Sequence, residues 1–199
     1  MQETETLTRK ERIIQVAEKL FKEKGFMATS MRDIAGELNI EAASLYSHIK
    51  SKDEILETIC FRMADQFLTS IDEVNDLYFN AEEKMKMAIA NHIKILTSDL
   101  NASSVFNREW RHLNNLKLNE FIQLRNRYEN GFRKILQTGE DENVFETAPS
   151  TRGKFAVLTI LSSLNWVTEW YKVGGPMTPE EISEHLYKFI LTGLKKKVI

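Results

Sequence analysis

Three helical blocks crowd into the stretch from Thr8 to Ile49, and only Asn39 and Ile40 separate the second from the third. Ile13, Val16, Ala17, Leu20 and Phe21 recur at helical spacing, so the first block carries one apolar stripe, and Gly25 offers the left-handed residue that ends it. Ser30, with Asp33 three positions later, is a capping-box signal for a short helix whose inward face is Ile34, Ala35 and Leu38. Asn39 tolerates the left-handed conformation that so tight a turn needs, and a third helix follows from Glu41 to His48. Ser51 and Glu54 then open a longer helix through Ile55, Leu56, Ile59 and Met63. A short helix presented by a tight turn and backed by others is what a helix-turn-helix requires: one helix crosses a DNA backbone while the next enters the major groove.

The rest of the chain reads as helix as well. Glycine and proline fall at apparent breaks such as Gly139, Gly174-Gly175-Pro176 and Pro179, and no segment alternates with period two. Asn80 with Glu83 opens a helix through Met85, Ile89 and Ile93, and a short helix then holds Val105, Phe106, Trp110 and Leu113. A long helix is predicted from Leu116 to Gln137 with Gly139 as its stop, and another, unbroken, from Ser150 to Tyr171. Thr178-Pro179-Glu180-Glu181 starts the last helix, with threonine as cap, proline at the first position and acids favoured by the dipole. The chain is thus expected to be all-α with about nine helices: a three-helix helix-turn-helix domain over residues 1–50 and a larger bundle over 51–199. Ile182, Leu186, Phe189 and Ile190 on the last helix, with Leu161 and Leu164 before them, are expected to form a four-helix interface in a homodimer.

Composition narrows the classes. With 42% hydrophobic and 28% charged residues the chain can bury a core. No apolar run reaches the ~18 residues of a membrane helix, and Met1–Thr8 is polar and acidic, unlike a signal peptide, so a cytoplasmic protein without membrane association is expected. The single Cys60 excludes an internal disulfide framework and a multi-cysteine metal site, and its apolar neighbours predict a core thiol. A net charge of −2 confines any nucleic-acid binding to a local face.

Catalytic signatures are sparse. The sequence holds no Gly-rich phosphate loop, nucleophile elbow or H-E-x-x-H motif. Glu109-x-x-His112 has the spacing of half a di-iron site, but that chemistry needs a second such motif and two further glutamates, so an all-α ligand-binding or di-iron enzyme stands only as the alternative. His92 and His185 read as polar edges of packed helices. No catalytic residue, metal or cofactor is expected.

The stretch Arg12-Ile13-Ile14-x-x-Ala17-x-x-Leu20-Phe21-x-x-x-Gly25-Phe26-x-x-Thr29-Ser30-Met31-x-Asp33-Ile34-Ala35, followed by Leu45-Tyr46-x-His48-Ile49-x-Ser51-Lys52, resembles the DNA-binding domain of the TetR family. The resemblance implies that Thr29 and Ser30 offer hydroxyls and N–H groups to a phosphate, that Tyr46 and His48 donate to phosphate oxygens, and that Lys52 supplies a mobile charge. Ala42, Ala43 and Ser44 then become the base readers, alanine against thymine methyls and serine against several base edges. Two positions depart from the family pattern: Asn39 replaces the turn glycine, and Glu41 replaces the serine cap and brings a negative charge near DNA. Arg9, Lys10 and Arg12 precede or open the first helix, but Glu3, Glu5 and Glu11 among them favour a solvated chain end over a groove-binding arm.

Phe106-Asn107-Arg108-Glu109-Trp110-Arg111, together with Leu164-Asn165-Trp166-x-x-x-Trp170-Tyr171 and the Gly174-Gly175-Pro176 loop, resembles effector domains of family members that respond to acyl-CoA thioesters. That likeness implies a site in which Phe106, Trp110, Tyr128, Trp166 and Trp170 hold an acyl chain while Arg108, Arg111 and Arg125 meet phosphates. Trp166 and Trp170 lie one turn apart and would equally fill a dimer core. The implied protein is a ligand-responsive regulator and not an enzyme: a repressor that binds a palindromic operator as a homodimer under control of a small apolar or acyl-CoA-type effector.

Overall fold

The computed structural model describes residues 7–146 and 152–195. Its helices run α1 (Arg9–Lys24), α2 (Met31–Glu37), α3 (Ala42–Tyr46), α4 (Lys52–Asp76), α5 (Ala81–Ser98), α6 (Leu100–Arg108), a 3-10 turn (Trp110–His112), α7 (Asn115–Asp141), α8 (Arg152–Asn165), α9 (Val167–Trp170) and α10 (Pro179–Leu194). The chain is all-α as expected; the nine expected helices are present among the described residues, and one of them is split in two. Ser150, where that helix was expected to begin, and the acidic Glu3 and Glu5 lie outside the described residues. Among the described residues no helix is long and apolar enough to cross a membrane.

The chain divides into two compact units whose boundaries fall inside α4, α7 and the first residues of α6. One runs through Met63 and adds Asn101–Phe121; the other is Ala64–Leu100 with the chain from Ile122 onward. In the first unit Ile13, Ala17, Leu20 and Phe21 of α1 are buried with Ile34, Leu45, Ile49, Ile55 and Ile59, so the stripes read from sequence become one core. Cys60 lies in that core, fully buried. Thr8 caps α1 in a reciprocal box with Glu11, and Ser30 does the same for α2 with Asp33. At α4 the pattern shifts by one residue: Ser51 Oγ accepts the Glu54 N–H at 3.1 Å, while the Glu54 carboxylate reaches the Lys50 N–H at 2.8 Å.

In the second unit α5 packs mainly against α10, around a core that includes Met85, Ile89, Phe132, Ile135, Leu164 and Ile182. The end of α7 corrects the sequence reading. Gly139 does not stop the helix, which continues to Asp141. The stop is Asn143 at φ 64°: its N–H donates to the Glu140 carbonyl and the Val144 N–H to the Gly139 carbonyl, the pair of bonds that closes a helix through a left-handed residue. Gly139 is required instead because Phe145 folds back onto it, and a Cβ there would overlap the ring.

The expected helix to Tyr171 breaks at Trp166. The Thr168 hydroxyl donates to the Asn165 carbonyl at 2.9 Å, and the Glu169 N–H turns to the Trp166 carbonyl three residues back. The chain thus tightens into a 3-10 step at the start of α9.

Candidate DNA-binding face and effector domain

The helix-turn-helix is built on asparagine. Asn39 stands at φ 53°, its N–H bonded to the Gly36 carbonyl and the Ile40 N–H to the Ala35 carbonyl, so it closes α2 where the family carries glycine. Glu41 caps α3 with no side-chain bond, in line with its poor capping chemistry. Leu45 and Ile49 are buried and anchor the segment in the core, while around them Ala43, Ser44, Tyr46 and His48 are exposed and Ala42 is half-buried. The Tyr46 ring is 53% exposed, a large aromatic left in solvent beside small residues.

Two of the expected phosphate contacts are occupied otherwise. Thr29 is buried and its hydroxyl donates to the Gly25 carbonyl at 2.8 Å, so it holds the α1–α2 turn and does not face outward. Lys52 Nζ donates to the carbonyls of Phe26 and Thr29 at 2.7 and 2.8 Å and lies 4.3 Å from the Phe26 ring centroid. It is a tie across the turn and not a mobile charge. Ser30 is exposed and engaged in its capping box. Sequence reasoning passed over Met27, Arg32 and Lys50, which are exposed near the same turns; outside the apolar stripes nothing in the sequence sets them apart from ordinary solvated residues.

The residues expected at the effector site divide between the two units. Phe106 is buried in the first unit, where its ring meets Phe121 edge-on at 5.5 Å; Trp110 tilts over the same Phe121, and the Arg111 guanidinium lies 4.3 Å above Trp110. Arg108 is exposed in that unit. In the second unit Arg125 is half-buried on α7, whereas Trp166 and Trp170 are 65% and 45% exposed.

Tyr128 belongs to a polar cluster that sequence reasoning missed. Its hydroxyl donates to His92 Nδ1 at 2.8 Å, and His92 Nε2 donates to Asn165 Oδ1 at 3.2 Å, joining α7, α5 and α8. Phe67 and Phe132 pack on these rings. Burial pushes the His92 imidazole down to about 3, against a smaller opposing effect of the Asn165 bond, and pushes the Tyr128 phenol up. Both are neutral at physiological pH. The spacing of His92, Tyr128 and Asn165 in sequence carries no signal of their meeting.

The helix stripes expected at a subunit interface also divide. Leu161, Leu164, Ile182 and Ile190 are buried in the chain's own core and Leu186 is half-buried against it. Phe189 instead stands 74% exposed on α10, and Phe155, Leu158 and Trp166 are exposed on the α8 side. Phe155, Thr159, Phe189 and Gly193 border an apolar groove of about 520 Å³ between the two helices.

Comparison with known proteins places these features in a family context. The family model described as bacterial regulatory proteins, tetR family, matches residues 13–59, and the model described as tetracyclin repressor-like, C-terminal domain, matches residues 79–194. The HTH-type transcriptional repressor KstR2 of Mycolicibacterium smegmatis is 25% identical over 94% of this chain and 91% of its own length. The TetR family transcriptional regulator PfmR from Thermus thermophilus is 30% identical with a TM-score of 0.82, covering 93% of this chain and 100% of that one. The structure of AibR in complex with isovaleryl coenzyme A and operator DNA superposes with a TM-score of 0.78 at 20% identity, over 92% of this chain and 97% of its own.

Proposed function

The chain belongs to the TetR family of bacterial regulatory proteins, and from that premise we propose that it is a ligand-responsive repressor that binds a palindromic operator as a homodimer. One observation carries the reading. Ala43, Ser44 and Tyr46 are exposed on α3 and His48 just after it, in a segment locked in place by buried Leu45 and Ile49, as a face meant for the major groove must be. Ala42, Ala43 and Ser44 read bases, and Tyr46, His48 and Ser30 position the backbone. Thr29 and Lys52 support binding indirectly, by fixing the turn that presents α2.

Tyr46→Phe removes one phenolic donor and leaves the ring and the core untouched. It is expected to weaken binding by about tenfold, uniformly across operator variants, since a bond to a charged group is worth roughly 1.5 kcal/mol. Fluorescence anisotropy against a set of duplexes reads this; an unchanged affinity with all of them removes Tyr46 from the interface.

Residues 1–50 are the DNA-binding part, and 51–199 carry the effector response and the dimer contacts. The protein acts in the cytoplasm and performs no catalysis with metal or cofactor. The effector is an acyl-CoA-type molecule; the isovaleryl coenzyme A in the AibR complex and the repressor role of KstR2 support this class and this sign of control. An effector acts only through unequal affinity for the DNA-bound and free forms. Isovaleryl-CoA or octanoyl-CoA is therefore expected to shift the operator Kd by at least about fivefold, the lower end of a coupling of this kind. If neither thioester moves it beyond what free CoA does, the acyl-CoA class is wrong.

A further inference from the structure

Glu109 and His112 lie far along the chain from the helix-turn-helix, yet both close on its first turn within the same compact unit. The Phe26 N–H donates to Glu109 Oε2 at 3.3 Å, and the same oxygen stands 3.6 Å from His112 Nε2. The His112 imidazole stacks on the Phe26 ring, with centroids 5.6 Å apart and planes at 21°. From α4, Lys52 takes the Phe26 carbonyl and approaches the ring. The donor, the acceptor and the ring of Phe26 are thus each held by a different polar side chain. Phe26 opens the turn that ends at Ser30, the cap of α2.

We propose that Glu109 and His112 are positioning residues for DNA recognition: they fix the peptide plane of Phe26, and with it the direction in which the first turn of α2, with Ser30 and Arg32, is presented to the operator. This rests on the DNA-binding reading above. Phe26 is buried, so its N–H needs a protein acceptor, and the Glu109 carboxylate, 16% exposed, supplies it. The bond both satisfies that donor and fixes its direction, and the partly exposed His112 holds the ring from the other end of the 3-10 turn. The Glu-x-x-His spacing, which suggested half of a metal site, is explained by this clasp: a 3-10 turn at Trp110–His112 brings the carboxylate and the imidazole to one aromatic residue.

The test uses the full-length protein and a duplex that the wild type selects from a random pool. Glu109→Ala is expected to weaken binding about tenfold, while Glu109→Gln, whose amide oxygen still accepts the Phe26 N–H, stays within about threefold of wild type. Hydrogen exchange of the Phe26 amide, followed by NMR, is expected to quicken in Glu109→Ala and to stay slow in Glu109→Gln. His112→Phe keeps the stacked ring and should bind within about threefold of wild type, whereas His112→Ala should resemble Glu109→Ala. Alanine variants that bind like wild type, glutamine failing to rescue, or unchanged Phe26 exchange in Glu109→Ala each overturn the proposal. A wild type that selects no duplex overturns the DNA-binding reading, and the Phe26 exchange then still decides whether the clasp exists.

Discussion

Phe189→Asp is expected to leave a folded monomer whose operator affinity has fallen by ~100-fold or more, because tethering two half-site readers raises affinity by ~10²–10⁴. Phe189 is 74% exposed on α10 and Phe155 is 71% exposed on α8, and both border the same apolar groove. Aromatic side chains left in water on adjacent helices suit a surface that another protein covers, and in the proposed homodimer a second copy of the chain would supply the matching pair. A two-fold interface doubles the insult: each substitution places two carboxylates in a contact that must shed water. The substitution does not remove a buried residue, since it is Ile182, Ile190 and Leu194 that bury α10 in the chain's own core. Sedimentation velocity and far-UV circular dichroism separate the effects. A persistent dimer moves the interface away from the α8–α10 groove; a monomer with undiminished affinity removes the two-half-site mechanism.

Phe189 also shows what periodicity can and cannot say. Ile182, Leu186, Phe189 and Ile190 form a single apolar stripe in the sequence, yet Phe189 and Ile190, adjacent in the chain and about 100° apart on a helix, face solvent and core respectively. The pattern reveals that the helix is apolar over a wide arc; it does not reveal which part of the arc meets the chain itself. Leu164 illustrates the same point from α8, fully buried where an interface was expected.

Local signals fared better. The boxes at Ser30, Asn80 and Thr178, the left-handed Gly25 and the turn at Asn39 all involve residues within a few positions of each other, so a sequence window contains the entire interaction. Asn143 was legible by the same rule as Asn39, but Gly139 offered a more familiar stop four residues earlier and masked it. Thr29 and Lys52 show the limit. Their residue types fit a phosphate contact, but their donors go to carbonyls of the α1–α2 turn, and for Lys52 the partners lie 26 and 23 positions away. Partners at such separations depend on tertiary packing, and for that reason the His92–Tyr128–Asn165 cluster was also invisible.

That cluster sets the second large effect, a loss of stability on the acid side of neutrality. His92 is 2% exposed and must stay neutral, since its Nδ1 is an acceptor for the Tyr128 hydroxyl and its Nε2–H is given to Asn165. Its pKa falls from 6.5 in the unfolded chain to about 3 in the folded one, chiefly through desolvation. Above pH 6.5 both states are neutral there and the residue adds no pH dependence. Below it the unfolded chain binds a proton that the native state refuses, so stability drops by about 1.4 kcal/mol per pH unit until the folded pKa is reached. By about pH 4.5 the loss amounts to roughly 3 kcal/mol, and over the whole window to about 5 kcal/mol, comparable with the entire stability of many domains. Carboxylates whose pKa values are lowered, such as Glu54 beside the Lys50 N–H and Lys10, also cost stability in acid, but they are common to wild type and variant and cancel in the difference. Urea unfolding of wild type and His92→Gln at about pH 7.0, 5.5 and 4.5 isolates the histidine. The variant is expected to start less stable and to fall less steeply, the curves converging by roughly 3 kcal/mol at about pH 4.5. Parallel curves would mean that His92 takes up its proton without unfolding the unit, and the cluster would then be an adaptable polar site in place of a fixed joint between α5, α7 and α8.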